Sequence, residues 1–330
     1  MIKFLFLIPF VFVACQSVQS SDSGKNKWAG SEAVSAELGS VNSEITPCDT
    51  VLIKKHLVQL TKDEIYRNYK NIERLDSVAA YIYRSFSKHA DTVYYQEFYV
   101  KDKIYRNVVC SFGTNNNAHI VVGAHYDVCG EQEGADDNAS GVVGLLELAR
   151  MLEGHSLTNQ IDLVAYTLEE PPFFRSTSMG SYQHAKSLVE NKVDVRGMIC
   201  LEMIGYFSDE KQSQTYPVEG MEALYGNAAD YISIVSKSSP GKFISGFTKQ
   251  FMDAGTVKTK HIAASASVQG IDFSDHLNYW NLGFSALMIT DTAFYRNDNY
   301  HESSDVMETL DIQRMSHVIE AVFIALTKVA

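Results

Sequence analysis

From residue 48 onward, short unbroken apolar runs alternate with longer stretches whose apolar residues recur every three to four positions. Runs of Val, Ile and Leu without polar alternation predict strands buried on both faces, and the longer period predicts helices packed over them. Helices are expected at 53–59, 77–86, 141–152, 179–189, 243–252 and 307–329. In the third of these, Val142, Leu145, Leu146, Ala149 and Leu152 form one stripe. Strands are expected at 93–100, 104–112, 120–125, 161–168, 197–206, 231–235 and 285–290, the first two joined by a turn at Lys101-Asp102-Lys103. This alternation predicts an α/β fold, a three-layer α/β/α domain on a central, mostly parallel (mixed) sheet.

Ligands of such sheets bind outside the carboxyl ends of the strands. Three of the buried runs end in residues able to hold metal: His125-Tyr126-Asp127, Glu169-Glu170 and Glu202. A glycine-containing loop after the first carries Asp136 and Asp137, followed by Asn138-Ala139-Ser140-Gly141. An imidazole and several carboxylates gathered where strands end suit a divalent metal such as zinc. Blander roles exist for each residue. His125 with Asp127 could be a satisfied polar pair, Asp137 and Asn138 a helix cap, and Glu169-Glu170 a solvated pair. Glu202 resists such a reading, because a carboxylate inside an apolar run is costly unless something pairs with it.

The first residues read differently. Lys3 precedes an uncharged apolar stretch, 4–14, which would rise only about 16 Å as a helix, short of the roughly 30 Å of a bilayer core. It is a signal-peptide core, not a membrane span. Val13-Ala14-Cys15 is similar to a bacterial lipobox, which implies cleavage before Cys15 and its lipidation; ordinary signal cleavage is the alternative. Residues 16–47, rich in Ser, Gly and Asn, read as a disordered tether. The expected organisation is therefore a lipoprotein signal at 1–15, a tether at 16–47 and a catalytic domain at 48–330. Localisation is expected to be extracytoplasmic, in a bacterial cell envelope, with membrane contact through the N-terminal lipid only. Cys48, Cys110, Cys129 and Cys200 could pair in three ways, and the spacing does not choose among them.

Composition is ordinary for a globular chain, 45% apolar and 21% charged. The formal charge of −12 argues against a nucleic-acid partner, which needs a basic face. Oligomeric state is not legible.

Five separated signatures carry a family resemblance: Gly123-Ala-His-Tyr-Asp127, Gly134-Ala-Asp-Asp-Asn-Ala-Ser-Gly141, Glu169-Glu170, Leu201-Glu-Met-Ile-Gly-Tyr206 and Tyr300-His-Glu-Ser-Ser-Asp305. Residues 273–280, FSDHLNYW, support them. Together they resemble the co-catalytic di-zinc exopeptidases that include bacterial leucyl aminopeptidases. The resemblance implies two zinc ions, with His125 on one and His301 on the other, Asp136 bridging, and Glu170 and Glu202 as single-metal ligands. It implies Glu169 as the general base acting on a metal-bridged hydroxide, and Asp127 as the acid that orients the His125 ring. A cis peptide is implied between the two aspartates. Asp275 and His276 are candidates for substrate contact or outer support. The implied activity is zinc-dependent aminopeptidase hydrolysis of N-terminal peptide bonds in peptide substrates. The alternatives are a single-zinc glutaminyl cyclase, which shares the fold, and an inactive binding lipoprotein. Two features depart from many members: Pro171-Pro172-Phe173-Phe174-Arg175 replaces a glycine-rich turn, and Glu202 stands where aspartate is common.

Overall fold

Eight strands of the described residues form one sheet in the structure, a computed structural model that describes residues 47–114, 118–265 and 268–330. The signal at 1–15 with Cys15, and the tether as far as residue 46, lie outside the described residues. The strands are β1 (Thr92–Val100), β2 (Lys103–Phe112), β3 (Ala118–His125), β4 (Gln160–Tyr166), β5 (Asp194–Glu202), β6 (Ile232–Lys237), β7 (Thr259–Ala264) and β8 (Ala286–Thr290). Their spatial order is β1-β2-β4-β3-β5-β8-β6-β7. The middle four, β4, β3, β5 and β8, run parallel. β1 and β2 are antiparallel additions on one side, and β6 meets β8 antiparallel on the other.

Strand geometry explains two cores. Successive side chains point to opposite faces, so Ile120, Val122 and Ala124 of β3 enter one core and Val121 the other. Ile199 and Leu201 of β5 join the first, Met198 and Cys200 the second. The larger core is covered by α1 (Thr50–Thr61), α2 (Ile72–Phe86), α3 (Gly141–Leu152), α6 (Lys242–Ala254) and α8 (Ile312–Val329). The smaller is covered by α4 (Gly180–Glu190) and α7 (His276–Asn281). The remaining α-helix, α5 (Met221–Tyr225), is a short turn with no buried residue. The three-layer, mixed and mostly parallel arrangement is as the sequence predicts.

Differences are local. β5 stops at Glu202, where the following Met203 takes a positive φ of 50°. The closing helix starts at Ile312, because the Asp311 side chain caps it by accepting from the Arg314 N–H at 2.9 Å. β7 carries no sequence signal, being an edge strand that is half exposed along most of its length. The four cysteines of the described residues are all free.

Candidate metal centre

His125 is the last residue of β3 and Glu202 the last of β5, its parallel neighbour. Both continue the parity of the residues that enter the smaller core, so both leave the sheet on the same side. The result is a separation of 3.4 Å between His125 Nε2 and Glu202 Oε2. The Ser274 hydroxyl donates to that same glutamate oxygen at 2.6 Å. Glu169 and Glu170 follow β4 after Leu168, whose φ is 61°. Their backbone N–H groups donate to the two carboxylate oxygens of Asp127 at 3.1 and 3.2 Å. Asp127 thus fixes the turn that carries both glutamates. Its carbonyl is 3.2 Å from His125 Nδ1 and its carboxylate 3.6 Å, so it faces the ring as well.

The doublet of aspartates behaves differently from expectation. Asp137, not Asp136, lies between the imidazoles: Oδ1 is 3.3 Å from His125 Nε2 and Oδ2 is 3.2 Å from His301 Nε2. Asp136 faces away, accepting from the Gly205 N–H at 3.0 Å and from Asn297 Nδ2 at 2.8 Å. The cause is remote. Asp305 accepts from the backbone N–H of both Asp136 and Asp137, at 2.8 and 3.0 Å, and so sets which carboxylate points where. The cis peptide bond lies one residue later than expected, between Asp137 and Asn138. Gly134, at φ 59°, opens this turn where a side chain would meet Val128 and the Asp137 carbonyl. The buried Arg67 guanidinium donates to the carbonyls of Glu133 and Gly134.

Glu170 Oε2 is 3.3 Å from His301 Nε2. Glu169 Oε2 is 3.9 Å from His125 Nε2, the loosest contact of the group. His301 stacks on Tyr300, with ring centroids 3.8 Å apart. Of the remaining candidates, His276 is used in packing. Its Nε2 faces the Ile271 carbonyl at 2.8 Å, its ring meets Trp280 edge-on, and burial lowers its pKa to about 4. Asp275 is buried behind the centre, its carboxylate oxygens without a hydrogen-bond partner among the described residues. Burial pushes it up to about 7, with His125 pulling the other way.

The electrostatics test whether a cation fits. Asp137, Glu169, Glu170 and Glu202 are at most 7% exposed, and among the described residues two imidazoles face them. Even with both rings protonated, negative charge is in excess, and burying it uncompensated is costly. The titrations express that excess. Burial and then Asp137 push Glu170 up to about 8, against the pull of His301. Burial raises Glu169 and Glu202 as well, His125 opposing. Burial disfavours charge on His301, yet Asp137 and Glu170 raise it to about 10. Burial would also raise Asp137, but His125 and His301 hold it well below the usual carboxylate range. Asp137 Oδ2 and Glu170 Oε1 are buried without hydrogen bonds. Ligand atoms of His125, Asp137 and Glu170 lie within 4.8 Å of one another. This donor set fits a divalent cation. Burial and the neighbouring Glu170 push the Cys129 thiol up to about 12, which disfavours a thiolate nucleophile.

Two cavities meet here. One of about 150 Å³ is lined by Asp137, Glu169, Glu170, Glu202 and His301. A second, of about 280 Å³, is mostly apolar, with Val235, Ile262, Ile271 and Met288 in its wall. Glu202, Phe273 and Tyr300 border both. Asp305, Asn297, Ser274 and Arg67 went unread in the sequence. Of these, Asp305 stood in a quoted signature and Ser274 in the supporting stretch 273–280.

Known proteins resemble this chain in sequence and in fold. The chain is 39% identical over 278 residues to the uncharacterized protein YfbL of Escherichia coli, covering 82% of this chain and 85% of that one. It is 25% identical to leucine aminopeptidase 1 of Metarhizium robertsii over 63% of its own length, and spans about half of that relative, 51%. Among solved structures, the LapA aminopeptidase of Legionella pneumophila superposes with a TM-score of 0.67 at 19% identity, over 85% of this chain and 72% of that one. The glutaminyl cyclase of Bacteroides thetaiotaomicron gives 0.63 at 17% identity, over 86% and 99%. These two likenesses speak to fold alone. Residues 107–326 match the profile of Peptidase family M28, a typically zinc-dependent family of peptide hydrolases, and this chain belongs to it.

Proposed function

We propose that the protein is a metal-dependent aminopeptidase that removes N-terminal residues from peptides. The observation that carries this is Asp137, whose two oxygens each face a different imidazole, with Glu202 beside one ring and Glu170 beside the other. His125, Asp137 and Glu202 would hold one cation, and Asp137, Glu170 and His301 a second. When bound, such ions polarise a carbonyl and acidify water from about 15.7 to about 7.

Glu169 is the carboxylate left over. Its backbone is fixed by Asp127 and its side chain is the least engaged with the rings. Burial keeps its pKa well above the ordinary range, which suits a group that takes a proton from water at a carboxylate oxygen and returns it to the departing amine. The apolar cavity would take the side chain of the first residue, favouring bulky aliphatic or aromatic ones.

Glu169→Gln tests the division of labour. Purified with its metal content measured, the variant is expected to keep its ions and lose activity on aminoacyl anilides by at least about a hundredfold. Full activity overturns the role of Glu169. A glutaminyl cyclase is the competing reading, favoured by the near-complete coverage of such a structure, 99%. One metal per chain and turnover of N-terminal glutamine in place of anilides would select it.

A further inference from the structure

Cys129 has no part in the chemistry above, yet it stands at the centre. It lies two residues after Asp127, half-buried and without a disulfide. Its Sγ, a carboxylate oxygen of Glu170 and a ring nitrogen of His301 lie within 4.8 Å of one another. Zinc bonds of about 2.0–2.3 Å place two ligands of one ion about 3.5–4 Å apart, so the three need to close by only about an ångström. A second observation points to a ligand at the same place. Glu170 Oε1 is buried and unpaired, although the other oxygen faces His301. The two ends of the centre also differ: Glu202 is steadied by Ser274, whereas His301 is 28% exposed in its side chain. The His301 end has room for one more donor.

We propose that Cys129 is a supplementary ligand of the cation held by Asp137, Glu170 and His301. The inference rests on the metallopeptidase reading and extends it. On binding, the S–H bond breaks, a sulfur–metal bond forms and one proton leaves to solvent, with no oxidant or reductant required. A sulfur donor at this end selects zinc or cobalt over magnesium and calcium, which prefer oxygen.

The test uses the full chain loaded with cobalt(II), comparing wild type with Cys129→Ser and Cys129→Ala, both checked for native circular dichroism. Wild type is expected to show a near-ultraviolet sulfur-to-cobalt charge-transfer band that both variants lack, and the ion at its His301 end is expected to bind at least about tenfold more tightly than in either variant. Two ions bound without that band, or a band and affinities unchanged in Cys129→Ser, overturn this inference and leave the metallopeptidase reading standing. A wild-type chain that takes up no cobalt overturns both.

Discussion

His125 and Glu202 ride on the ends of adjacent parallel strands, whereas Asp137 and His301 ride on loops, and the two pairs are held by different physical means. The strand pair is set by the sheet. Register and parity decide where both side chains go before any hydrogen bond is made. The loop pair is set by buried polar contacts far apart in sequence, chiefly Asp305 gripping the amides of Asp136 and Asp137. Precision on a strand comes with the fold; precision on a loop depends on a few replaceable hydrogen bonds. The loop half should therefore be the easier to disturb without unfolding the domain.

Asp305→Asn strikes that half most strongly. It touches no ring of the centre, yet metal affinity is expected to fall by about 10–100-fold, as is usual when support behind a ligand is lost. Ser274→Ala, whose hydroxyl touches Glu202 and the Cys200 thiol of the same strand, is expected to do less, and equal losses from the two variants would erase the contrast. Acidity gives an intermediate effect, again on the loop side. Without metal, Glu170 is pushed up to about 8 and His301 to about 10, so both hold a proton at neutral pH that a cation must displace. Apparent affinity should accordingly rise with pH across this range, by up to about tenfold per unit for each proton displaced. Chelator competition at several pH values reads this slope, and a flat profile contradicts it. The smallest effect is expected at the pocket mouth. Arg175 forms a bidentate pair with Asp272 at 2.7 and 3.0 Å and lies over Phe174 and Phe273, which line the polar cavity. An exposed pair of this kind is worth about 0.2–1 kcal/mol, so Arg175→Ala should raise KM about two- to fivefold with kcat unchanged.

The same contrast explains what could be read from the letters. The sheet, its parity and the candidate metal-binding side chains at its strand ends were legible because an apolar run ending in a polar residue carries its own geometry. His125, Glu170 and Glu202 were found that way. The choice between Asp136 and Asp137 was not legible. Two identical neighbours cannot be told apart without knowing that Asn297 and Gly205 claim one and Asp305 orients both. β7 was missed because an edge strand with half-exposed residues lacks the apolar run that marks the others. The start of α8 was placed early, although Asp311 offered a readable cap.

The most direct measurement is the number of zinc ions retained per folded chain by wild type, Asp136→Asn and Asp137→Asn after identical dialysis. Wild type is expected to retain two, Asp136→Asn to retain them with a loss of stability of about 1–3 kcal/mol, and Asp137→Asn to lose both along with activity. Two ions retained by Asp137→Asn, or their loss from Asp136→Asn alone, would contradict the claim that Asp137 joins the two halves of the centre.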